Sequence, residues 1–142
     1  MNTSRIATAL SLAGAAFITY VGFRYLTDPA GMAPSFGMPA WPTGEAADFL
    51  NAKGVRDVVS GLIMLALLAA RQRYALGIVT LVLALVPTGD MLTILRHSGS
   101  TATAFGVHGL TAALVAGTGL LLLRERKTAA DSTALVSPAT AR

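Results

Sequence analysis

Residues 53–70 read KGVRDVVSGLIMLALLAA. From Val58 to Ala70 there are 13 residues without a charge. A helix rises about 1.5 Å per residue, so that run covers roughly 20 Å, whereas a bilayer's hydrocarbon core is about 30 Å thick. A helix crossing there must continue past Asp57, which carries that carboxylate below the membrane surface. Alternating strands of about ten residues, as a membrane barrel needs, are not found in the sequence.

The rest of the chain has the same character. Of its 142 residues 54% are hydrophobic and only 13% are charged, whereas soluble domains carry about 25% charged residues. Four spans follow: Ile6–Leu26, Gly54–Ala70, Tyr74–Leu95 and Thr101–Leu123. Each lies in the range of roughly 17–25 residues that crosses a bilayer as a helix. The expected fold is an all-α, integral membrane four-helix bundle over residues 1–127. An outer loop occupies 27–53, and an Ala/Ser/Thr-rich, disordered tail occupies 128–142. A cleaved signal peptide is the weaker reading of the first span, which is longer than the usual apolar region of 7–15 residues.

Charge sets the expected orientation. With alternating spans, Arg5, Arg71, Arg73, Arg124, Arg126, Lys127 and Arg142 share one side. Asp28, Glu45, Asp48, Asp57 and Asp90 lie toward the other. Basic residues favour the cytoplasmic side, which puts both termini in the cytoplasm of a multi-pass cell-membrane protein. The formal net charge of +4 thus has a topological explanation, and no nucleic-acid partner is expected. The chain has no cysteine, which excludes disulfides and thiol chemistry. No glycine-rich phosphate loop, nucleophile elbow or paired-histidine zinc spacing occurs, so neither metal nor cofactor is expected.

Asp57 is not alone. The uninterrupted apolar runs of the third and fourth spans, Ala75–Gly89 and Gly109–Leu123, end at Asp90 and His108. All three groups fall about 7–10 Å below the outer boundary. Ionisable groups at such depth pair, protonate or mark a functional site. Lys53 lies four residues from Asp57 on one helix face. Arg56 adjoins Asp57, Arg24 closes the first span at a similar level, and His97 lies seven residues after Asp90. The loop's Met32, Phe36, Met38 and Trp41 either cover the outer mouth as a lid or rest on headgroups. Pro87 predicts a kink just before Asp90. The proposed catalytic group is Asp57, Asp90 and His108, with Arg24, Lys53, Arg56, Trp41 and His97 as substrate contacts. A buried ion-pair network that only fixes helix register is the competing reading. Gly109, Ala113 and Gly117 form a ridge for close helix packing or for homo-oligomer contact.

Through K-G-V-R-D at Lys53–Asp57, G-D at Gly89–Asp90 and H-G at His108–Gly109, the chain resembles the small four-span membrane proteins of the domain of unknown function 4267 family. These are in turn distantly similar to DoxX-like bundles. The resemblance covers roughly Ile6 to Arg124. It implies a four-helix membrane fold without a settled activity. Similar fungal membrane proteins are linked to epoxide opening, which by analogy implies acid–base chemistry on an apolar small molecule: epoxide hydrolysis, cyclisation or isomerisation. The alternatives are a non-catalytic scaffold or partner subunit and an oligomeric proton-coupled transporter.

Overall fold

The computed structural model describes the backbone of residues 3–136 and the side chains of residues 3–125. Four long helical segments pack as a bundle. Helix α1 spans Thr3–Thr27 and α3 spans Phe49–Ala69. The third segment is α4 (Arg73–Leu83) continued by α5 (Leu85–Arg96). The fourth starts with the short α6 (Thr101–Thr103), widens into a π-helical stretch at Ala104–Gly109, and continues as α7 (Leu110–Val136). Of the tail expected at 128–142, the described backbone is helical as far as Val136, and residues 137–142 lie outside the described residues.

Three segments are long and apolar enough to cross a membrane: Thr3–Thr27, Arg73–Arg96 and Thr101–Glu125. Helix α3 is 21 residues long but carries Lys53, Arg56 and Asp57 within its first turns, and it is not among the three. The distribution of side chains also suits a bilayer. Phe17, Phe23, Val82, Leu85 and Leu114 are exposed, while Ala7, Ser11, Ala15, Thr80 and Thr118 are buried. Small residues inside let helix backbones approach, and lipid solvates the large apolar ones outside.

The closest approach is between α1 and α3. A Cβ placed on Gly22 would sit 2.6 Å from the Val58 amide nitrogen and 2.7 Å from the Gly54 carbonyl oxygen. Helices α4 and α7 meet similarly, a Cβ on Gly119 falling 3.0 Å from the Gly77 carbonyl. The ridge expected at Gly109, Ala113 and Gly117 is not this contact, because Gly117 has open space where its Cβ would project. The end of the bundle where α1 begins is clasped by Arg73. It donates to the Glu125 carboxylate at 2.6 and 2.9 Å, to the Thr8 hydroxyl at 3.0 Å and to the Ser4 carbonyl at 3.2 Å. Three helices are thereby tied at one point.

The opposite end carries residues 28–48, which are more ordered than an open loop. Asp28 caps α2 (Pro29–Met32) by accepting from the Gly31 amide at 2.9 Å. Proline at the first helical position suits that start. A 3₁₀ turn, Ala33–Phe36, follows and ends at Gly37, whose φ of +98° favours glycine. The Gly37 carbonyl accepts from the Ser100 amide at 2.8 Å, pinning this segment to the turn before α6. The second 3₁₀ turn, Gly44–Asp48, leads into α3. Thr43 precedes it in extended conformation and makes no side-chain cap. The kink expected from Pro87 is a break at Ala84, between α4 and α5. Proline has no N–H to give the Leu83 carbonyl four residues earlier, and its ring crowds that carbonyl.

Candidate functional site

At the loop end of the bundle a cavity of about 370 Å³ opens between the helices. Phe17, Val21, Met64, Val86 and Val115 give it apolar walls, and Lys53, Asp57, Asp90 and His108 converge at its polar end. Met32 and Phe36 of the loop segment line it as well. All four helical segments and the loop therefore supply the enclosure.

The polar end is built in two layers. Asp57 is 1% exposed. Its carboxylate accepts from the Lys53 ammonium at 2.6 Å and from Arg56 Nε at 3.1 Å. The Lys53 bond follows from the four-residue helix spacing. Lys53 also lies 4.8 Å from the Tyr25 ring centroid and 5.7 Å from that of Phe36, within cation–π reach. Charged groups taken from water require such partners, and Asp57 has them on two sides.

Asp90 differs. It is 14% exposed, and its Oδ2 lies 3.6 Å from Arg56 Nη2, 3.7 Å from Lys53 Nζ and 3.8 Å from His108 Nδ1. All three exceed ordinary hydrogen-bond length. Among the described residues its carboxylate receives no hydrogen bond. Asp90 is thus held in a cationic field yet has free lone pairs directed among the three nitrogen groups. Two carboxylates face one ammonium and one guanidinium, so the cluster is electrically balanced with a neutral imidazole.

His108 belongs to the π-helical stretch. Its Nε2 lies 3.2 Å from the Phe36 carbonyl. A carbonyl oxygen only accepts, so Nε2 carries the proton and donates. Nδ1 is left facing Asp90. The two rings also meet edge to face, with centroids 5.1 Å apart and planes at 62°. A π-helical turn widens the backbone and recurs at functional sites. Here it supplies the side chain that joins loop and cluster. No cue in the residues of Ala104–Gly109 announces it.

The structure brings together Lys53, Arg56, Asp57, Asp90 and His108. It does not bring in the other three expected contacts. Arg24 stays on its own helix, with Nη1 3.4 Å from the Tyr20 hydroxyl and Nη2 3.9 Å from Asp28. Those partners lie four residues to either side, so the guanidinium finds them without turning inward. His97 ends α5 and is exposed. The chain leaves the helix there, which removes the seven-residue register with Asp90. Trp41 is exposed and lies beyond the Gly37 anchor. Ser60 lines the cavity but donates to its own helix, at the Arg56 carbonyl. Thr93 donates to the Gly89 carbonyl and is exposed. Tyr25 was not expected here. It is buried, lines the cavity and carries Lys53 over its ring.

Among the described residues no group of histidine and carboxylate side chains has the arrangement to hold a metal ion.

Comparison with known proteins adds one finding. No curated protein and no solved structure matches the chain. A family model described as "Domain of unknown function (DUF4267)" matches residues 15–122, a stretch that contains every residue of the polar cluster. The chain is therefore a member of the DUF4267 family.

Proposed function

We propose that this bundle is a bilayer-embedded site for an apolar small molecule, with acid–base chemistry at Asp90 and His108. The observation that carries the reading is an apolar cavity whose polar end holds a carboxylate left without a hydrogen bond. A network serving only helix register accounts for Asp57, which is sealed by Lys53 and Arg56. It leaves unexplained an Asp90 that borders the cavity and receives no hydrogen bond.

The two carboxylates then divide the work. Asp57 holds Lys53 in place. Asp90 accepts a proton from an attacking water or ligand hydroxyl and passes it to Nδ1 of the neutral His108, which then donates it. For an epoxide, the attacking oxygen bonds to a ring carbon and its proton passes to Asp90. The ring carbon–oxygen bond breaks toward the ring oxygen, which takes the proton from His108. Lys53 steadies the charge that develops on that oxygen. Asp90 and His108 lie 3.8 Å apart, so the proton crosses between them during the step, and both groups end as they began.

We also infer four spans with both termini cytoplasmic. The up-down-up-down path carries α3 alongside the three apolar segments. Its charged first turns are paired within the bundle, and Arg71, Arg73 and Arg124 gather at the end with the termini.

The test uses purified protein in lipid nanodiscs and a panel of apolar terminal epoxides, with diol formation read by mass spectrometry. Asp90→Asn is expected to lower turnover by roughly 10²-fold or more, the usual scale for a general acid–base group. Unchanged turnover in Asp90→Asn, or no turnover across the panel, overturns the catalytic assignment.

A further inference from the structure

We propose that the cavity is loaded sideways from the bilayer through a portal between α1 and α7, and that its ligand is an uncharged amphiphile: an apolar chain ending in a hydroxyl, epoxide or carbonyl. The proposal rests on the small-molecule reading above and names the ligand class and its route.

Position defines the route. Most residues bordering the cavity are shielded, but Phe17 on α1 is 54% exposed and Val107 in the π-helical stretch is 50% exposed. Both lie within segments apolar enough to cross a membrane. An exposed apolar side chain at that place faces lipid. The segments α1 and α7 are drawn together at the terminal end, where Arg73 joins Ser4, Thr8 and Glu125. Toward the loop end Phe17 and Val107 border the cavity instead. At the loop end two bonds fasten the covering segment, although Ser35 at the cavity edge is exposed. Phe36 bonds His108, and Gly37 is tied to Ser100.

Charge defines the ligand. Lys53 and Arg56 already balance Asp57 and Asp90, so a charged headgroup would bring uncompensated charge into a largely apolar chamber, which is costly. An uncharged oxygen fits the gap beside Asp90, where it accepts from a nitrogen group or donates to the carboxylate. The apolar walls then hold the chain. A cavity of about 370 Å³ lies at the small end of ligand pockets and suits one short or folded chain.

The experiment is photo-crosslinking in nanodiscs with diazirine probes, mapped by peptide mass spectrometry. A long-chain diazirine alcohol is predissolved in the lipid, and the matched fatty acid and alkylamine serve as charge controls. A four-carbon diazirine alcohol added from water reports whether the chamber binds at all. The alcohol is expected to label cavity residues at least tenfold more than either charged analogue. Phe17→Trp and Val107→Trp, which narrow the portal, should each cut long-chain labelling at least fivefold more than short-chain labelling. Leu114→Trp, on an exposed face of α7, should change neither. Circular dichroism of each variant excludes loss of fold. Equal labelling by the charged analogues overturns the ligand class. Undiminished long-chain labelling in both portal variants overturns the route while the site stands. Absence of cavity labelling by either alcohol overturns the small-molecule reading itself, and this inference with it.

Discussion

Replacing Asp57 by asparagine should cost far more stability than the same change at Asp90, although both carboxylates belong to one cluster. Asp57 is 1% exposed and takes a hydrogen bond from Lys53 at 2.6 Å. A hydrogen bond to a charged group contributes about 1.5–3 kcal/mol, and losing one partner of a buried ion pair costs about 3–5 kcal/mol. Two features reduce the upper figure. Lys53 keeps Asp90 at 3.7 Å, and Arg56 is 41% exposed, so its share is screened by solvent. About 2–3 kcal/mol is expected for Asp57→Asn. Asp90 makes no hydrogen bond to lose, so Asp90→Asn should cost about 1 kcal/mol or less, the scale of a loose, partly screened ion pair. Unfolding by sodium dodecyl sulfate in mixed micelles, followed by circular dichroism, gives both values. The paired replacement Lys53→Met with Asp57→Leu should recover most of the loss, because well-packed apolar groups often match a buried ion pair. If Asp90→Asn proves as destabilising as Asp57→Asn, the division into a sealed and an open carboxylate is wrong.

Other consequences are equally direct. Gly22→Ala sets a methyl group against the α3 backbone and should cost at least about 2 kcal/mol, within the range of overpacking. Gly117→Ala meets open space and should instead gain a few tenths to about 1 kcal/mol from helix propensity, read in the same unfolding assay. A double-mutant cycle on Arg73→Gln and Glu125→Gln should give a coupling of about 1–2 kcal/mol, since the pair is bidentate and partly buried. Coupling near zero would remove the clasp. Pro87→Ala restores an amide that can bond the Leu83 carbonyl. Hydrogen exchange should find that amide protected, and ligand labelling near Asp90 should fall as the α4–α5 break closes.

The outline of the site is legible in the amino-acid sequence, because it depends on local rules. Helix spacing alone sets Lys53 against Asp57, and the lengths of the apolar runs place Asp57, Asp90 and His108 at one level. Phe36, in a loop rich in proline and apolar residues, lines the cavity as a covering segment does. The unforeseen features are non-local or depend on backbone detail. Arg73 and Glu125 are 52 residues apart, and no spacing rule pairs them. The approach of Gly22 to Gly54 depends on the crossing of two helices, so the small-residue ridge of the fourth span is the more visible pattern although the close backbone contact lies elsewhere. Arg24 pairs along its own helix, and His97 lies past the end of α5. Depth along a helix follows from residue counting, whereas rotation about the bundle axis does not. The widened turn that holds His108 leaves no mark in composition.

That widened turn bears on how chain length in this part of the protein can vary. A π-helical turn accommodates about one residue more than an α-helical turn over the same path. Deleting a single position between Ala104 and Gly109 would let the backbone relax to ordinary α-helix while both flanking stretches keep their facing. The same deletion inside α3 would swing everything beyond it by about 100° and uncouple Asp57 from Lys53 or from the chamber. Single-residue gaps among relatives should therefore collect at 104–109 and be absent from 53–61.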